Sequence, residues 1–411
     1  MEQLLKNKYV PFLMLFAIAI IVYGLIYMFS SDFSITAYNQ WNPFSIQAAS
    51  WLDGRLYLEE NIPWLEVAMF NGQYFISFPP FPSIIMLIFV PFHGTDTPDH
   101  AIALVVSLLS LAYAYKIGEK VLGNKTHAMF LSLFLVLGTN YLHISLWGAV
   151  WYIAQNMAFL LTLMAFYYAL TDKKYHSFIS LFAMCAALGC RPFNAIYVPV
   201  VLYLIFIRED KSFFAFAKKA SIYAIPAMLL GSFFAWLNYA RFGNIFEFGH
   251  SYLPEFAHDP YGQFYAGRIL SNLETIFFNF NMTGFPLFGG FAFWVASPII
   301  ISFVIYFFIF IFKDIKIKTP CRKKCLEKYL IFAIPLLVMI HIVAFSFHRT
   351  LGGHQFGSRY TVDVLVAIYL GLLLMLKRLP QNNSVYINAA PFLFGMLLNF
   401  YGTINFLSFY F

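Results

Sequence analysis

The sequence predicts an all-α fold, a polytopic transmembrane helical bundle forming a single integral membrane domain over residues 1–411. Three observations carry that expectation. The chain is 61% hydrophobic and 11% charged, whereas soluble domains carry roughly 25% charged residues. Several apolar runs exceed the ~18 residues that suggest a spanning helix. All seventeen lysines fall in short clusters between those runs: Lys6/Lys8, Lys116–Lys125, Lys173/Lys174, Lys211–Lys219, Lys313–Lys328 and Lys377. Cytoplasmic loops are the ones enriched in lysine, so the clusters mark one face of the membrane. The net charge of +7 sits in these loops and calls for a lipid bilayer, not nucleic acid, as partner.

Placing the lysines inside gives about eleven spans. They fall near 10–29, 100–118, 127–146, 150–170, 176–190, 193–207, 220–238, 285–312, 329–347, 360–376 and 386–408. The N-terminus is then cytoplasmic and the C-terminus extracytoplasmic. Val10–Phe29 is too long for a signal-peptide core and lacks a small-residue cleavage site, so it reads as an uncleaved first helix. Phe81–Phe92 is apolar but short and bracketed by prolines, and reads as a re-entrant or interfacial helix. The fifth and sixth spans are short and meet around Gly189–Pro192. Three external segments remain: a long loop over 30–99, a second over 239–284, and a short one over Phe347–Arg359. The long pair are rich in aromatics, proline and histidine, which predicts packed structure.

The external face holds six arginines, and two of them border apolar spans. Arg191, before Pro192, interrupts an otherwise uncharged run, and a cation at such depth faces an anion, an acid or the surface. Arg359 stands at the mouth of a late span in a segment with three glycines, where a guanidinium offers planar, multi-donor contact to phosphate oxygens. Asp363, four residues on, is spaced to hold Arg359 in place. Solvated roles suffice for Arg55, Arg241, Arg268 and Arg349. Glu66 lies in the apolar frame Trp64–Phe70, where an acid finds a partner, becomes a high-pKa group suited to general-base work, or points to water from an interfacial helix. No phosphate-binding loop, dinucleotide fingerprint or soluble nucleotide-sugar domain is visible.

The element Asn71-Gly72-Gln73-Tyr74-Phe75-Ile76-Ser77-Phe78-Pro79-Pro80-Phe81 resembles the turn found in the first external loop of GT-C superfamily membrane glycosyltransferases. The match is to the protein O-mannosyltransferase and aminoarabinose transferase branch. Asn238–Gly249, with its Arg-Phe-Gly and Glu-Phe-Gly pieces, and Gly357-Ser358-Arg359-Tyr360 resemble elements of bacterial members. Two positions depart. Asn39-Gln40 stands where the family has an acidic pair, and Phe78 replaces a lysine.

The resemblance implies an inverting glycosyltransferase of the bacterial plasma membrane and cell envelope. The donor would be a polyprenyl-phosphate sugar and the acceptor a cell-envelope glycan, lipid or protein. Glu66 or Asp32 would supply the missing base. Arg359 and Arg191 would hold phosphate, and His354, Tyr74, Asp363, Glu247 and His250 complete the expected substrate-binding set. No metal ligand is assigned, although a divalent cation is left open. The alternatives are a lipid-linked glycan translocase or transporter without chemistry, and a catalytically silent relative.

Overall fold

The computed structural model describes every residue except 1–6, 8, 31–33, 210–211, 282–286, 289, 315–321, 380–383 and 411. The candidate base Asp32 lies outside the described residues. The described chain is a helical membrane bundle with two small two-stranded ladders in its loops.

α1 (Val10–Phe29) spans first and leaves much of its surface open to lipid. The first external segment then folds in pieces. Asn42 caps α2 (Pro43–Leu52), its Oδ1 accepting from the Phe44 N–H at 2.9 Å, with Pro43 in the first turn where a missing N–H costs nothing. A hairpin follows, β1 (Val67–Phe70) and β2 (Gln73–Ile76), paired antiparallel with Phe70 opposite Gln73. Its two-residue loop, Asn71-Gly72, has φ of 50° and 75°, the left-handed pair that matches hairpin twist and that asparagine and glycine tolerate. α3 (Phe81–Met86) and α4 (Val90–His93) are two short helices packed on α2, so the apolar stretch 81–92 does not span.

The bundle continues with α5 (Asp99–Leu122), α6 (Lys125–Leu137), the single turn α7 (Tyr141–Ile144), α8 (Val150–Leu170) and α9 (His176–Leu188). A 3₁₀ turn over Pro192–Tyr197 leads into α10 (Val198–Glu209). α11 (Phe213–Tyr223) and α12 (Ile225–Phe242) meet at a 53° bend before Pro226. α13 (Pro254–Ala257) and α14 (Ile269–Phe278) structure the second external segment. β3 (Leu287–Phe288), α15 (Phe293–Ala296), α16 (Ile299–Asp314) and α17 (Arg322–Ser346) follow, then β4 (His354–Gln355), which pairs with β3. α18 (Val362–Leu376) and α19 (Ser384–Tyr410) close the chain.

Among the described residues seven helices are long and apolar enough to cross a membrane, and the bent α11–α12 pair makes eight if it is one span. The other three expected segments fall on shorter apolar helices, α6, α9 and α16. α18 is apolar all round and buried along its whole length, packed among α5, α8, α16 and α17. It is the axis of the bundle, and its N-terminal end carries the site.

Candidate functional site

All three external segments converge on one cavity of about 780 Å³. Its walls come from the end of the hairpin, the first turns of α8, the break between α9 and α10, and the loops on either side of α13 and β4.

The hairpin delivers Glu66. Alternate residues of a strand share a face, so Glu66 follows the side of Ala68 and Phe70, which packs against Phe75, Phe242 and Tyr252 of the second external segment. Tyr74 takes the opposite side, pairing across from Met69, and its carbonyl accepts from Leu58 at 2.7 Å. Tyr74 therefore does not line the cavity. The Glu66 main chain is held by Ser77, whose Oγ donates to its carbonyl at 2.8 Å. Its carboxylate accepts from Trp151 Nε1 at 2.9 Å. Burial, with Glu255 nearby, pushes this carboxyl up to about 7, against the opposing pull of Arg359 and the Trp151 hydrogen bond.

Arg191 enters from a break that the sequence compels. Proline disfavours helical backbone in the residue before it, so Arg191 is extended at φ −142°, ψ 97°. Its Nε and Nη2 bond Asp363 Oδ2 at 3.0 and 2.8 Å. Asp363 was expected to hold Arg359, and it does not: an aspartate at the start of α18 reaches across to the guanidinium presented by the break. Gln155 completes the joint, its Nε2 donating to Asp363 Oδ1 at 2.6 Å and to the Arg359 carbonyl at 2.9 Å.

Arg359 is buried at 3% exposure, yet no carboxylate lies within 4.0 Å of its guanidinium among the described residues. It sits over the rings of Tyr360, Tyr152 and Trp151, with centroids 5.0, 5.6 and 5.9 Å away. Among the described residues its Nη1 has no hydrogen-bond partner. Gly352, at φ 108°, makes the approach close: a Cβ there would stand 2.9 Å from Arg359 Nη2.

Glu247 and His250 also line the cavity. Glu247 organises its own loop, accepting from the Gly249 N–H and Ser251 Oγ, both at 2.6 Å. His250 is set between Phe78 (5.2 Å, edge-on) and Phe256 (6.0 Å, stacked), and burial holds it neutral, down to about 3. His354 is exposed on β4, one residue beyond the cavity-lining Gly353, and its carbonyl accepts from Tyr152 at 3.2 Å.

Asn39-Gln40 is built into the scaffold. The Asn39 N–H donates to Asp99 Oδ2 at 3.0 Å, its side chain accepts from the Trp41 N–H at 2.9 Å, and the Trp41 carbonyl receives the Val150 N–H at 3.0 Å. These contacts tie α5 to the start of α8, and Asn39 does not line the cavity. The other external arginines are less solvated than expected. Arg241 is buried, donating to the carbonyl of Ile76 and to Asn238 Oδ1, while Arg268 and Arg349 share Asp259 at 2.7 and 2.8 Å.

Trp151, Gln155, Glu255 and His348 were not anticipated. Gln155, beside Asn156 inside the otherwise apolar α8, is a signal that the sequence carried, because polar groups at membrane depth point inward. Among the described residues, no group of three or more His, Cys, Asp and Glu side chains is placed to hold a metal ion.

No family profile and no curated relative matches this sequence. Two crystal structures do match in three dimensions, those of ArnT from Cupriavidus metallidurans bound to undecaprenyl phosphate and in the apo state. Each superposes with a TM-score of 0.54 at 13% identity over 92% of this chain and 62% of theirs, so the chain spans less than two thirds of their length. This chain therefore shares the fold of those ArnT structures.

Proposed function

We propose that this GT-C-fold protein is an inverting glycosyltransferase that takes its sugar from a polyprenyl-phosphate donor on the extracytoplasmic face. The observation that carries this reading is a half-buried, near-neutral carboxyl and an uncompensated buried guanidinium in one cavity. A group titrating near the working pH is suited to general-base catalysis. A fixed cation without an anion of its own is suited to a phosphate. The fold likeness to a protein whose crystal structure holds undecaprenyl phosphate points to the same donor class.

Arg359 binds the phosphate, and Arg191, neutralised by Asp363, contributes donors without net charge. Ionised Glu66 removes the proton from an acceptor hydroxyl as that oxygen bonds to the anomeric carbon. The bond from that carbon to the phosphate oxygen breaks, and polyprenyl phosphate leaves with the electron pair. Attack opposite the leaving group inverts configuration. Arg359 stabilises the charge that grows on the departing phosphate. The lysine clusters support the orientation, with the N-terminus inside and the site facing out of a bacterial plasma membrane.

The test uses purified protein with radiolabelled polyprenyl-phosphate sugars, wild type beside Glu66→Gln and Arg359→Ala. Transfer or slow donor hydrolysis is expected in wild type and lost in both variants. Absence of both products with every donor would overturn the transferase reading in favour of a lipid-binding or translocating protein.

A further inference from the structure

The cavity has a second wall, away from Arg359, where the second and third external segments are joined by main-chain bonds. The Tyr265 N–H donates to the Phe347 carbonyl and the Arg349 N–H to the Gln263 carbonyl, both at 2.9 Å. Within this seam Phe264 is half-exposed into the cavity, and His348 is buried between the rings of Phe264 and Phe256, each 5.4 Å away. Gln263 Nε2 lies 3.1 Å from His348 Nε2, and Glu255 lines the same cavity. The wall thus combines an open aromatic face with carboxylate, amide and imidazole groups.

Its charge is already balanced. Arg268 and Arg349 both bond Asp259, at 2.7 and 2.8 Å, and Arg349 also reaches Glu255 at 3.7 Å. Burial holds His348 down to about 4, so it adds no cation at neutral pH. The cavity lining contains two arginines, Arg191 and Arg359, and three carboxyls, Glu66, Glu247 and Glu255. Asp363 neutralises Arg191. Arg359 is therefore the single lining cation without a carboxylate partner among the described residues. Once a donor phosphate is on it, no unpaired lining cation remains among the described residues for a second anion.

Resting on the transferase reading, we propose that the acceptor is an uncharged carbohydrate. Its apolar face stacks on Phe264, and its hydroxyls are held by Glu255, Gln263 and His348, one of them facing Glu66. A sugar ring offers C–H groups to an aromatic face and hydroxyls to both donors and acceptors. A carboxylate- or phosphate-bearing acceptor would meet Glu66, Glu247 and Glu255, and Arg349, the cation that reaches Glu255, is already shared with Asp259.

The test is saturation-transfer NMR on the full chain in nanodiscs free of glycosidic detergent, using methyl glucoside and methyl glucuronide as probes. Methyl glucoside is expected to bind through its ring C–H protons, and methyl glucuronide about tenfold more weakly, the ratio that ~1.4 kcal/mol of repulsion gives. Phe264→Ala should abolish the glucoside signal, and Glu255→Gln should narrow the gap between the two glycosides. Phe264 is half-exposed, so an unchanged thermal midpoint will show that the variant remains folded. A nanodisc containing a neutral glycosyl-diacylglycerol distinguishes sources: competition identifies a membrane-anchored sugar, its absence a soluble one, and both support a carbohydrate acceptor.

Equal or tighter glucuronide binding, or a Phe264→Ala signal equal to wild type, would overturn the proposal. Glycoside binding of the expected pattern without donor turnover would keep this subsite and remove the transferase reading. Turnover only with an anionic acceptor would do the reverse.

Discussion

Arg191 and Arg359 lie over the same ring, 4.9 and 5.0 Å from the Tyr360 centroid, yet their surroundings differ. Arg191 has two bonds to a buried aspartate, which is itself held by a glutamine of α8. Arg359 has aromatic faces and an Nη1 without a hydrogen-bond partner among the described residues. A buried charge that finds its counter-ion in the fold is a structural joint, and removing one partner strands the other. A buried charge left without one is a cost to the fold that a ligand can offset. Burial alone does not separate these cases; the inventory of partners does.

The largest way to break this comparison is Asp363→Ala. It strands Arg191 and is expected to destabilise the protein by about 3–5 kcal/mol. The double change Arg191→Met/Asp363→Leu should recover most of that loss, as read by thermal denaturation in nanodiscs. Equal destabilisation in single and double variants would remove the structural role assigned to the pair.

Arg359→Met should behave oppositely. Turnover is expected to fall by about 10²–10³-fold, the scale for removing one electrostatic stabiliser, while the thermal midpoint stays unchanged or rises. A large loss of stability would make Arg359 a joint as well.

Smaller effects concern Glu66. It acts in its ionised form, so kcat/KM should climb tenfold per pH unit up to about 7 and level off above. The Trp151 hydrogen bond favours the carboxylate. Trp151→Phe keeps a ring near Arg359 and should move that limb to higher pH, with rates above pH 8 within a few-fold of wild type. The sign for stability is opposite. The folded value lies above the unfolded 4.5, so this group's contribution is present at acid pH and is lost as pH rises through about 7. Glu66→Gln should abolish that dependence. The least effect is expected of Gly72→Ala, about 1 kcal/mol for a side chain at φ 75°, with looser seating of Glu66 appearing as a modest rise in KM.

The lysine partition and the apolar runs predict the bundle because membrane insertion acts on composition over ~20-residue windows. Ten of the eleven expected segments fall on a helix or a helix pair, and the eleventh, 285–312, reaches helix only in its later part, after β3. Arg191 was legible because a cation before proline in an apolar run has few places to go. Glu66 was visible as an acid in an apolar frame, but that frame is strand, and the Asn71-Gly72 turn was the signal for it. Partner choice was not legible. The i,i+4 spacing suggested Arg359–Asp363, and a residue 172 positions away took the aspartate instead. Trp151 and Glu255 reach the site only through tertiary packing, on which local pattern is silent. The polar Gln155 was in plain view, and its depth in α8 identified it as inward-facing.

In the proposed function Arg359, not the Arg191–Asp363 pair, supplies the charge that holds phosphate. Equilibrium binding of undecaprenyl phosphate to the protein in nanodiscs tests it directly, comparing wild type, Arg359→Met and Arg191→Met/Asp363→Leu. A hydrogen bond to a charged group is worth about 1.5–3 kcal/mol. Arg359→Met should therefore weaken binding by about ten- to a hundredfold, and the paired double variant by no more than a few-fold. Undiminished binding by Arg359→Met, with loss in the double variant, would contradict the account.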